Sequence, residues 1–174
     1  LGYGGRTHAA EGKVHDLYAR AAALQDAGGH RVVMVSLDLV GVPKVMAERV
    51  SAAAKTKHKL ERADLMFCCS HTHCGPAVNR IAPLIFTTPI TPEQEERIEA
   101  NRRELTNGIE KAALDALADR KPGKLAWAQG KLGFAMNRRV IENGKWVKFG
   151  ESKDAPVDHA MPVLRVTDGA GKLR

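Results

Sequence analysis

The 174-residue chain is 44% hydrophobic and 27% charged, which suits one domain with a real core, falls short of two, and excludes disordered, fibrous and disulfide-dense classes. Its formal charge of +7 would suit an anionic partner, yet Lys and Arg are spread along the chain and aromatics make up only 5%; the aromatic-interleaved basic run of single-strand binders is missing, and no nucleic-acid partner is expected. No apolar run approaches ~20 residues, so no transmembrane segment is expected.

Residues 1–12 hold Gly2, Gly4, Gly5 and Gly12, which either let backbone approach a ligand closely or mark an ordinary loop. Their spacing fits neither a dinucleotide fingerprint nor a Walker A phosphate loop. Residues 14–24 suit a strand leading into the turn Asp26-Ala27-Gly28-Gly29, although the alanine run fits a helix too. Residues 31–39 form the clearest strand, where Val32, Val33 and Val35 make a near-continuous apolar run that predicts burial on both faces. Asp38 at its end could orient an imidazole or cap the helix that follows, with capping or solvation favoured. A helix from Pro43 to about Lys57 is predicted by proline in its first turn and by Val45, Met46, Val50 and Ala53 at helical spacing. A polar linker returns the chain to a strand over 63–69. Strand, helix, strand with these lengths predicts a βαβ unit with parallel, neighbouring strands and a right-handed crossover.

That second strand empties into Ser70-His71-Thr72-His73-Cys74-Gly75-Pro76. If the chain stays extended, the period of two sends His71 and His73 to one face, and Gly75-Pro76 then stops the strand. Such strand ends are where α/β sheets keep active-site loops. A lone His-x-His is nonetheless a weak signal. Cys68 and Cys69 would face opposite sides of the strand and read as small buried hydrophobes; no Cys-x-x-Cys zinc spacing occurs. Residues 78–88 are apolar and irregular, either lining a groove beside the histidines or forming covered loop.

Thr91-Pro92-Glu93-Gln94 opens a long helix with a capping box, and Ile98, Leu105, Ile109, Ala113 and Leu117 give it one apolar stripe. A short strand over 125–130 follows, then Asn137-Arg138, a hairpin over 140–149 through Asn143-Gly144, and a last strand over 162–167 before the turn Asp168-Gly169. The fold class is α/β: a mixed sheet with at least one parallel βαβ unit flanked by helices, plus a β-hairpin, in an incomplete domain. His8, His15, His30, His58 and His159 lack partner spacing and read as loop or surface residues.

Ser-His-Thr-His-Cys-Gly-Pro resembles the His-Thr-His-Ser-Gly-Pro signature of the neutral/alkaline non-lysosomal ceramidases, zinc amidases that hydrolyse the N-acyl bond of ceramide. Leu1-Gly2-Tyr3, Tyr18-Ala19-Arg20-Ala21, Val35-Ser36-Leu37-Asp38-Leu39, Asn137-Arg138 and Pro162-Val163-Leu164-Arg165 resemble the same family in order and approximate spacing. The resemblance implies that residues 1–174 are a single partial domain, the N-terminal part of a ceramidase-like zinc hydrolase catalytic domain. It implies His71 as a zinc ligand, His73 as a catalytic contact to the reacting group, and Arg138 as a catalytic stabiliser of the oxyanion. Gly2 and Asn137 take substrate-binding roles on the same grounds. Cys74 stands where the family has Ser, a near-isosteric change.

The family's remaining zinc ligands, a further His, a Glu and a Tyr, are expected beyond Arg174, so the fragment alone should bind zinc weakly or not at all. The implied activity is hydrolysis of the N-acyl amide of ceramide or a related N-acyl lipid by metal-activated water. A membrane surface is one place for it to meet that substrate. Two alternatives remain open: a ceramidase-like domain without catalysis, acting as a secreted binding or surface protein, and a hydrolase of a different amide or ester. A secreted or periplasmic location follows from the resemblance only.

Overall fold

The computed structural model describes residues 8–78 and 89–174. The chain divides into two compact units, Leu1–Arg120 and Lys121–Arg174.

The first unit is built on a three-stranded sheet of order β1-β2-β3, with β1 at Ala19–Gln25, β2 at Arg31–Leu37 and β3 at Leu65–Cys69. β1 and β2 are antiparallel, from Ala19 opposite Leu37 to Gln25 opposite Arg31, and β2 and β3 are parallel, from Val33 beside Leu65 to Leu37 beside Cys69. The tight turn between β1 and β2 is closed by Asp26, whose Oδ1 accepts from His30 N at 2.8 Å, and it needs Gly29 at φ +86°. Helix α1, Lys44–His58, makes the crossover from β2 to β3, as the expected βαβ unit requires.

The register puts Ala19, Ala21 and Ala23 on the same side as Val33, Val35 and Leu37, and these beside Leu65, Phe67 and Cys69. This face joins Met46, Val50 and Ala54 of α1 and Ile109, Ala113 and Leu117 of α2, Pro92–Ala118, in one buried cluster. The alanines of β1 leave room for α2, which packs on β1 and β2. The expectation that β2 is buried on both faces is corrected. Val33, Val35 and Leu37 are buried, but Ser36 is exposed and Met66 on the neighbouring strand is 55% exposed. The cluster draws both helices to one face, and the opposite face is the more open one: Ser36, Met66 and Cys68 are exposed there, while Val32 and Met34 are half-buried. The run of valines reflects β propensity as much as burial.

In α1, Pro43 is the residue before the helix rather than its first. The buried stripe is Met46, Ala47, Val50, Ser51 and Ala54, one step round from the expected set, so Val45 is 52% exposed. Ser51 satisfies its buried hydroxyl on Ala47 O at 2.7 Å, and Thr106 in α2 does the same on Arg102 O at 2.6 Å. Lys59 ends α1 in the left-handed region, followed by buried Leu60. The expected first residues of β3 instead form a 3₁₀ turn, Arg62–Asp64, where Asp64 Oδ2 accepts from Glu61 N at 2.8 Å.

α2 begins as its sequence predicts: Thr91 Oγ1 accepts from Gln94 N at 3.3 Å, and Gln94 Oε1 accepts from Thr91 N at 2.9 Å. Thr91→Ala is expected to cost about 1 kcal/mol in chemical denaturation, because the Gln94 amide loses its hydroxyl acceptor. A loss within error would mean that the cap is not held in solution.

The second unit holds two antiparallel pairs: β4, Lys124–Lys131, with β7, Ala160–Thr167, and β5, Asn137–Glu142, with β6, Lys145–Ser152. The hairpin turns through Asn143 and Gly144, both at positive φ, as a two-residue type I′ turn demands. The β5–β6 register slips between Asn137 and Arg139, where Arg138 alone faces Gly150 and Glu151, so the bulge lies in β6 opposite Arg138. Trp127, Phe134 and Phe149 are each more than 70% exposed.

Candidate functional site

The sequence directs attention to the loop after β3. The expectation of an extended chain through the histidines is corrected in part. β3 ends at Cys69, but the loop still follows the exit of β2, with Ser70 N donating to Leu37 O and Thr72 N to Leu39 O, both at 3.1 Å. His71 then departs from the strand, with φ at 56°. That left-handed conformation costs a side-chain-bearing residue about 1–2 kcal/mol, so the surroundings must hold it. They do so through Nδ1, which lies 2.9 Å from Val40 O. A carbonyl only accepts, so Nδ1 carries a proton, and in the neutral ring the lone pair is on Nε2.

The chain next turns through Thr72–Gly75, with Gly75 N donating to Thr72 O at 3.1 Å, and this turn brings the His73 ring to His71. Their centroids are 4.8 Å apart with planes at 80°. The imidazoles thus meet as predicted, but through a left-handed residue and a turn instead of strand alternation. His71 is exposed and His73 half-buried. Gly75 is buried, and a Cβ there would lie 3.2 Å from both Asp38 O and Thr72 O. The glycine is needed for close backbone approach.

Asp38 neither caps α1 nor touches an imidazole. Its N–H donates to Tyr18 O and its Oδ2 accepts from Tyr18 N, both at 3.0 Å, which extends the β1–β2 pairing by one residue. Its Oδ1 accepts from Ser70 Oγ at 3.3 Å, and Ser70 Oγ lies 2.7 Å from Thr72 Oγ1. These hydroxyls flank His71 on both sides. Sequence reading missed them, although their placement around His71 in Ser-His-Thr was the available signal.

Cys69 packs against the core, and burial followed by neighbouring Cys68 raises its thiol pKa, which keeps it protonated and inert. Cys68 is exposed, against the expectation of burial, because it points to the open face of the sheet. Cys74, in the histidine loop, is an exposed free thiol.

Asn137 and Arg138 belong to the second unit. Asn137 Oδ1 accepts from Arg139 N at 2.9 Å and its Nδ2 donates to Pro156 O at 3.0 Å, so the amide braces the start of β5, which carries exposed Arg138. Gly2 lies outside the described residues, as does the apolar stretch after Val78; Val78 itself is fully buried in the core. Of the other histidines, His8, His15, His30 and His159 are exposed and His58 is half-buried near the end of α1. Among the described residues no group of three or more His, Cys, Asp and Glu side chains could hold a metal ion. His71, with its proton fixed on Nδ1, fits the role of one ligand.

A histidine-bearing loop at the carboxyl end of a parallel strand marks an α/β protein of the kind that carries its chemistry at strand ends. The chain belongs to the neutral/alkaline non-lysosomal ceramidase family, whose N-terminal region matches residues 1–172. Two solved structures share its fold: a ceramidase complexed with C2 and the neutral ceramidase from Pseudomonas aeruginosa. Each is 24% identical with a TM-score of 0.66, over 89% of this chain and 24% of its own. The chain therefore spans about a quarter of the length of these structures. No curated protein matches it. No described helix is long and apolar enough to cross a membrane.

Proposed function

We propose that the protein containing this chain is a zinc-dependent amidohydrolase cleaving the N-acyl amide bond of ceramide or a related N-acyl lipid. The observation that carries the reading is the held His71 ring, whose Nδ1 bond to Val40 O directs the Nε2 lone pair away from the backbone. Metal-binding histidines are commonly fixed this way, through a carbonyl on the other nitrogen. His71 would be one ligand, and a further His, a Glu and a Tyr beyond Arg174 would complete the set. Zinc, when bound, supplies a water acidified toward ~7 and polarises a carbonyl.

The chain's own residues have the remaining roles. His73, with its ring 4.8 Å from that of His71, contacts the reacting group and exchanges a proton with it. For Arg138, a permanent, forked cation, the family resemblance implies a role in stabilising the oxyanion, and for Asn137 and Gly2 it implies contact with the substrate. An N-acyl lipid would be met at a membrane surface, and the protein would act in a secreted or periplasmic setting.

The test uses the full-length protein and a panel of ceramide, fatty-acid amides and fatty-acid esters. Fatty-acid release from ceramide is expected to disappear after chelation and to return with Zn²⁺. Metal-loaded protein that cleaves no N-acyl amide would overturn the reading; cleavage confined to another amide or an ester would keep the chemistry and change the substrate.

A further inference from the structure

We propose that Asp38 is a positioning residue for the imidazole pair, acting through a chain of two hydroxyls; the assignment rests on the metal-site reading above. Ser70 Oγ lies 3.3 Å from both Asp38 Oδ1 and Leu37 O, and neither oxygen can donate. The Ser70 proton therefore points toward them, and the charged carboxylate is the stronger acceptor. Ser70 Oγ is then the acceptor in its 2.7 Å contact with Thr72 Oγ1, which makes Thr72 the donor. The chain runs from Thr72 O–H to Ser70 O–H to the Asp38 carboxylate, and the other carboxylate oxygen is fixed by Tyr18 N at 3.0 Å.

Ser70 and Thr72 are the neighbours of His71, and Thr72 also precedes His73. Fixing both hydroxyls pins the chain on either side of a residue at φ 56°, and so keeps His71 Nδ1 within 2.9 Å of Val40 O. The anchor belongs to the sheet: Asp38 follows directly on β2 and is tied to β1 through Tyr18. Asp38 thereby transmits the position of the β1–β2 pair to the loop without touching either ring.

The experiment compares Asp38→Ala, Ser70→Ala, the double variant and Asp38→Asn in the full-length protein. The first readout is zinc retention against graded chelator; the second is ¹⁵N NMR of labelled histidine in metal-free protein, with the His71 signal identified by its loss in His71→Ala. Each alanine variant is expected to weaken zinc retention ~10–100-fold, as loss of an outer-shell partner does. Each should also let His71 leave the Nδ1–H tautomer. The double variant should be no worse than the more affected single variant, because both cuts sever one chain. Asp38→Asn should recover most of the loss, since Oδ1 can accept from Tyr18 N while Nδ2 donates to Ser70 Oγ. The proposal is overturned if Ser70→Ala leaves zinc retention and tautomer at wild-type values, for then Asp38 only latches β1 to β2. Wild-type protein that takes up no zinc would defeat the metal reading instead, and the tautomer measurement would still decide whether Asp38 positions the ring.

Discussion

Full-length protein carrying His71→Ala is expected to lose its bound zinc and more than ~100-fold of its amide-hydrolysing activity, exceeding the 10–100-fold cost typical of outer-shell residues. The side chain is exposed and its one described hydrogen bond is to Val40 O, so little of the core depends on it. Thermal stability of the metal-free protein should therefore stay within about 0.5 kcal/mol of wild type, or rise slightly if the left-handed residue relaxes. The combination separates a ligand from a structural histidine, because a structural role would lower stability and spare metal content. His73→Ala should separate the two chemical effects, with zinc retained and turnover lost. Metal analysis by mass spectrometry beside a fatty-acid release assay reads both. Unchanged zinc in His71→Ala would sink the assignment of that residue.

Much of the architecture was legible where local chemistry and tertiary packing agree. The capping box at Thr91, the Asn143-Gly144 turn and the β2–α1–β3 unit each form where the residues indicate. Legibility failed where packing alone decides. Nothing in a run of valines says how many faces of β2 will be covered, and the sheet has α1 and α2 in a cluster on one face. A one-step rotation of α1 exposes Val45 and buries Ala47, a choice made by the fit of small residues against the sheet. At the site, the pairing of His71 and His73 was readable from their spacing, but its mechanism was not. Left-handed backbone at a histidine leaves no mark on sequence, because the Val40 carbonyl that holds it is 31 residues away. Asp38 was likewise visible as a carboxylate at a strand end, whereas its link to the loop depends on hydroxyls reached only after the crossover.

That dependence of the loop on the sheet gives Leu37 an outsized role. It is 1% exposed, ends β2, lies between Ala19 and Cys69 in the sheet, and belongs to the buried cluster beneath the histidine loop. Its carbonyl accepts from Ser70 N at 3.1 Å and is also within 3.3 Å of Ser70 Oγ. Leu37→Ala is expected to destabilise by about 2–5 kcal/mol, the transfer term of the lost carbons plus the cavity they leave. The upper half of that range is favoured because the neighbouring Val33 and Val35 are β-branched and stiff at χ1, and the facing Ala19 is too short to fill the space. Leu37→Met keeps the volume and should cost less than about 1.5 kcal/mol. Urea denaturation supplies both values, and zinc retention measured well below the unfolding transition supplies a third. If the loop is seated on this residue, Leu37→Ala loses metal affinity while still folded and Leu37→Met does not. Equal retention in the two folded variants would show that the hydrogen bonds of Asp38 and Ser70 hold the loop without help from the core below it.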